Sequence, residues 1–149
     1  MTPVFQTIIG KNGNCMQAAY ASILDLPLNA VPHFLEGGNT NEGNAKTRVD
    51  DFLESLGLAE LSFLMVTRDM RTTVLHALEF SPLQHFLMSV PSQLYNGGHC
   101  VVGRMDTAEY GVVVAHDPNP RNAPYDLKKT PNLAKLMPRV TERLLARKK

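Results

Sequence analysis

Tryptophan is missing from the 149 residues, and aromatic residues of all kinds total 7%. A nucleic-acid groove needs basic residues interleaved with aromatics, and this chain supplies neither in quantity. Fifteen Lys and Arg stand against fourteen Asp and Glu, for a formal net charge of +1, so no strong field draws in a polyanion or an acidic membrane. Neither nucleic acid nor membrane is therefore expected as a partner. Cysteine occurs twice, at Cys15 and Cys100, which is too few for a disulfide framework and leaves no CxxC pair. A Cys15–Cys100 bridge is conceivable, but cytosolic chains keep their thiols reduced, and the cytoplasm is the expected compartment. No apolar run approaches the roughly 20 residues that span a bilayer. The start MTPVFQTIIG lacks a basic opening followed by a long apolar stretch, so no secretion signal is expected.

What is there suits one domain covering 1–149, large enough to bury a core without staples. Hydrophobic residues make up 44% and charged residues 19%, ordinary for a globular chain. In CMQAAYASILDL, Met16, Ala19, Tyr20, Ile23 and Leu24 recur at helical spacing, with Asn14 as N-cap and Pro27 past the end. Cys15 thus falls in the first turn of a helix. LNAVPHFLE reads as a short helix and turn, and GGNTNEGNA as a surface loop. TRVDDFLESLG reads as a second helix with a stripe of Val49, Phe52, Leu53 and Leu56 and with Gly57 at C′. LSFLMVT, HFLMSVP, HCVVGRM and YGVVVAH read as strands, with TTVLHALEF as a helix between the first two. From about 121 to 149 the expectation is a Pro-rich segment and then a basic helix broken at Pro138. Helices first and mostly antiparallel strands after give an α+β class.

The chemistry-bearing residues fall in this frame. A thiol at a helix N-terminus sits in the positive end of the dipole, and with a histidine nearby its pKa drops well below the usual 8.5 or so. If the hairpin turn is centred near Thr107-Ala108, facing residues sum to about 215 or 216, and His99 plus Asp117 gives 216. The two would then face each other, with Asp117 fixing the His99 tautomer. Strand alternation is expected to turn Cys100 and His116 away from the His99 side. The thiolate would attack a carbonyl carbon and the imidazolium would protonate the leaving group. Gly13 is expected to let a substrate approach the backbone. The Cys15 amide and the Gln6 side chain are the candidate oxyanion donors.

GNCMQAAYAS, GGHCVVGRM and GVVVAHDPNP, taken together, resemble the small bacterial and phage members of the papain-like cysteine peptidase superfamily. The resemblance runs from about Phe5 to Pro120. It implies a Cys-bearing helix packed on an antiparallel sheet, with Cys15 as nucleophile, His99 as base and Asp117 as third member. It also implies a peptide or protein substrate, cleaved through a thioester with no cofactor. Gln6 resembles the family's oxyanion glutamine. Its separation from Cys15 is wider than the family's usual spacing, which leaves Asn12 or Asn14 as the alternative donor.

Other readings attach to the same residues. Acyl transfer to an amine, as in a transglutaminase, uses the same triad. A phage-type binding module that captures a host protein without turnover needs only the cleft. A zinc site from Cys15, Cys100, His99 and His116 fits by residue type, but neighbours on one strand do not converge easily on one ion, so no metal is expected. His33, His76 and His85 read as structural or surface residues.

Overall fold

The computed structural model describes residues 1–36, 42–64, 85–106, 111–121, 125 and 141–147. Helix α1 spans Cys15–Leu24, a 3-10 turn Leu28–Ala30, and α2 Glu42–Ser55. The strands are β1 Leu58–Leu64, β2 His85–Pro91, β3 Gly98–Asp106, β4 Gly111–His116 and β5 Thr141–Arg147. They form one sheet in the order β1-β5-β2-β3-β4, and every pairing is antiparallel. The class is α+β, as expected.

The sequence CMQAAYASIL makes α1 because alanine forms helix best and its small side chain lets the helix lie close to a sheet. α1 packs on β3 and, less extensively, on β2. Apart from Met16 and Leu24 its residues are buried, polar ones included. Burial this complete needs partners for the polar groups. Gln17 Nε2 donates to the carbonyls of Leu28 at 2.9 Å and Val31 at 2.6 Å. Ser22 Oγ accepts from the Val4 amide at 2.9 Å and donates to the Ala18 carbonyl at 2.8 Å. The N-terminal segment and the turn after α1 are thereby tied to the helix. The core between α1, α2 and the sheet joins Ala19, Tyr20, Phe34, Val49, Leu53 and Leu87, with edge-on ring contact between Tyr20 and Phe34 at 5.4 Å.

Two sequence expectations fail here for identifiable reasons. α2 begins at Glu42, inside the stretch read as loop, and Leu56 lies past the helix end and is 45% exposed, outside the buried stripe. Gly57 does take positive φ (+69°), the left-handed backbone that stops the helix. The expected C-terminal helix is a strand over Thr141–Arg147, filling the slot between β1 and β2. Helical spacing of its leucines loses to two sheet edges that need a partner. The expected helix TTVLHALEF, with His76, lies outside the described residues.

Candidate active site

Cys15 opens α1, and the loop before it is closed by its own hydrogen bonds. The Gly13 amide donates to Gly10 O at 2.9 Å and the Asn14 amide to Ile8 O at 3.1 Å. A Cβ on Gly13 would lie 2.9 Å from the carbonyl oxygens of both Gly10 and Ile8. Glycine is required there to let the loop close on itself. Asn14 stands at the cap position, but its side chain makes no hydrogen bond to the helix. Its Oδ1 instead accepts the amides of Thr7 at 3.0 Å and Ile8 at 2.8 Å. Its Nδ2 donates to Thr7 Oγ1 at 3.2 Å and Gln17 Oε1 at 2.9 Å. Both Nδ2 hydrogens are therefore committed, and Asn14 holds the loop in place of donating to an oxyanion.

His99 enters from the start of β3. Its Nε2 meets Asp117 Oδ1 at 2.7 Å, with both side chains buried. The register behind this contact differs from the expected one. Facing residues of β3 and β4 sum to 217 from Asp106–Gly111 to Gly103–Val114 and to 218 at Val102–His116, with a bulge between Val102 and Gly103. Carried past the end of β4, the outer register would set Asp117 opposite Cys100 and turn it to the wrong face. The inner one sets it opposite Val101 and diagonal to His99, on the same face. The bulge re-aims the acid by one residue. Asp117 has also left the strand, and its Oδ1 accepts the Asn119 amide at 2.9 Å, which fixes the carboxylate in a tight turn.

With Nε2 engaged, the other ring nitrogen is left for the thiol, and the imidazole and the Cys15 sulfur are near enough for each to shift the other's protonation. Cys100 is the neighbour that the sequence reading placed away from the site. It shares a buried cluster with Val102 and with Cys15 of α1, so Cys100 and His99 both act on the one sulfur. The Cys100 amide donates to Cys15 Sγ at 3.4 Å. The signal was present in the sequence, since a helix lying on β3 must meet one of its two alternating sets, here the even-numbered residues. His116 behaves as expected: opposite Val102, its Nε2 donates to Val4 O at 2.8 Å and its ring meets Phe5 edge-on at 5.1 Å.

The electrostatics follow from these contacts. The hydrogen bond from the Cys100 side chain draws the Cys15 thiol down, burial opposes it, and the bond to and positive charge of His99 draw it further, to about 4. For His99, burial disfavours the charge, and the bonds to Asp117 and to the Cys15 sulfur outweigh it and raise the ring to about 9. Between those values sulfur and ring form a thiolate–imidazolium pair. Tyr95, which the sequence reading missed, donates its hydroxyl to Gly98 O at 2.9 Å, and its phenol is raised by burial and then by the negative charge of Cys15.

Gln6 is brought to the site's border by its amide, which donates to Pro118 O at 2.9 Å, next to Asp117. Its Nε2 donates to Ile8 O at 2.9 Å, and its Oε1 is buried without a hydrogen-bond partner. Asn12 is exposed. A cavity of about 230 Å³ opens beside Asp117, between Phe5, His116 and Asn119, and its walls include neither Cys15 nor His99. Among the described residues no group of three or more His, Cys, Asp or Glu is placed to hold a metal ion, and no helix is long and apolar enough to cross a membrane. No family model, no curated protein and no solved structure matches this chain.

Proposed function

We propose that this chain is a cysteine hydrolase of papain-like architecture that cleaves an amide bond in a peptide or protein through a thioester. The observation that carries the reading is the buried His99–Asp117 pair at 2.7 Å set beside the sulfur of a cysteine at a helix N-terminus, the ring and the sulfur each shifting the other's protonation. Each link has a chemical task. Asp117 accepts from Nε2, orients the ring and stabilises its charge. His99 gives its proton to the departing amine as the tetrahedral adduct on Cys15 collapses, then takes one from water for deacylation. The amide of Cys15, aligned with the α1 dipole, is the backbone oxyanion donor. Gln6 Nε2 spends one hydrogen on Ile8 O, and its second N–H is the side-chain donor we assign to the oxyanion.

The reading is tested by presenting a mixed pool of fluorogenic peptide amides to the wild-type chain and to Cys15→Ala. Turnover by the wild type and its loss in the variant are expected. Turnover that survives in Cys15→Ala would remove the thiol from the chemistry. Iodoacetamide that labels Cys15 and Cys100 equally slowly at pH 6 would remove the activated nucleophile.

A further inference from the structure

The hydrolytic scheme gives Cys100 no task, yet its amide donates to the Cys15 sulfur at 3.4 Å and its side chain is buried in the same cluster as Cys15. The two residues are 85 positions apart, so their meeting is made by the packing of α1 on β3. Neither is in a disulfide, and both are buried at 6% exposure. They are the only two cysteines of the chain, so an oxidised Cys15 has one intramolecular partner. Both belong to the buried hydrophobic cluster that also holds Ala19, Leu87 and Val102. This apolar setting slows a second oxidant molecule from reaching a first oxidation product, while a second thiol is already in the same cluster. A thiol whose sulfur accepts an amide hydrogen bond, with a second thiol packed in the same cluster, is placed for resolution of a first oxidation product.

We propose that Cys15 and Cys100 are a dithiol–disulfide couple, through which a peroxide switches the nucleophile off and a small thiol reductant switches it on again. In the first step the Cys15 thiolate attacks one peroxide oxygen. The O–O bond breaks, an S–O bond forms, and the departing alkoxide or hydroxide takes the His99 proton. Sulfur loses two electrons and the peroxide gains them. In the second step Cys100 loses its proton to the now neutral His99, its sulfur attacks the sulfenic sulfur, and hydroxide leaves with that proton as water. The sum is two thiols and one peroxide giving one disulfide, one alcohol or water, and one further water. Two reductant thiols reverse it by exchange. The sulfurs belong to one buried cluster and must close to about 2.05 Å, a movement within that cluster.

The test treats the reduced full chain with near-stoichiometric hydrogen peroxide. Mass spectrometry without reductant should show the loss of two hydrogens and a linked peptide pair containing Cys15 and Cys100. Iodoacetamide labelling of Cys15 should fall in step and return with dithiothreitol. In Cys100→Ser, and in Cys100→Ala should the serine fold poorly, the same treatment should leave a dimedone-trappable sulfenic acid on Cys15. Wild-type Cys15 that passes to sulfinic acid with no linked peptide, or that links two chains instead, would overturn the proposal. Its fate is separable from the hydrolase reading. Disulfide formation without any amide turnover sinks only the hydrolase, and turnover without a linked peptide sinks only the couple.

Discussion

The thiolate–imidazolium pair makes a prediction about slope that burial cannot mimic. An ordinary thiol with pKa about 8.5 is only about 0.3% thiolate at pH 6, whereas Cys15, lowered to about 4, is almost wholly ionised there. That is roughly a 300-fold gain in the reactive form. Lower basicity costs nucleophilicity: with a Brønsted coefficient of about 0.4–0.5, the shift of about 4.5 pK units loses roughly 60–180-fold in attack on a disulfide. The two effects nearly cancel at pH 6, leaving Cys15 about 2–5 times faster than a free thiol, and about 15–45 times slower at pH 8. Limited access at 6% exposure lowers every rate by the same factor and leaves the shape untouched. The assay is reaction of Cys15 with an aromatic disulfide at pH 5, 6, 7 and 8, followed by mass spectrometry of the Cys15 peptide, with a small free thiol as control. The control should accelerate by nearly 10³ over that range, while Cys15 should change less than twofold. A Cys15 rate that climbs about tenfold per pH unit would refute the ion pair.

Removing the partners has distinct signatures. His99→Ala should restore a steep pH dependence to Cys15 labelling and cut any amide turnover by about 10²–10⁴, with circular dichroism unchanged; an unaltered labelling slope would take His99 out of the mechanism. Asn14→Ala removes the acceptor of the part-buried Thr7 and Ile8 amides and orphans the buried Gln17 oxygen, and should lower stability by about 1–3 kcal/mol in urea unfolding; a loss under about 0.5 kcal/mol would mean that the loop does not depend on it. Linkage gives a third test. Between about pH 4 and 6.5 the unfolded chain holds the Cys15 proton and the folded chain does not, so stability rises with pH. From 6.5 to about 9 the folded His99 keeps a proton that the unfolded ring has lost, and the two slopes cancel. The stability advantage of wild type over Cys15→Ala should therefore shrink as pH falls from about 6.5 to 4, and an advantage that grows would reverse the sign assigned to Cys15.

The residues that meet at the site were legible because their signals are local. Cys15 follows Asn14 at the start of an alanine-rich helix, and His99 and Asp117 sit at the ends of two apolar strands that read plainly as a hairpin. The register was not legible, because a bulge between Val102 and Gly103 leaves no mark in a hydrophobic pattern beyond a glycine. The facing of His99 and Asp117 was expected from a sum of 216, and the contact arises instead from 218 and a diagonal. The structure gives Asn14 and Gly13 loop-closing contacts that the sequence could not show, since both answer to carbonyls and amides of the preceding residues. Thr141–Arg147 was misread because strand demand from β1 and β2 is a tertiary effect that no local spacing reports.

The most direct measurement is a difference titration of ultraviolet thiolate absorbance between the wild-type chain and Cys15→Ser. A midpoint near 4, with the thiolate persisting through neutral pH, is the predicted result. A single midpoint near that of a free thiol, about 8.5, would contradict the account.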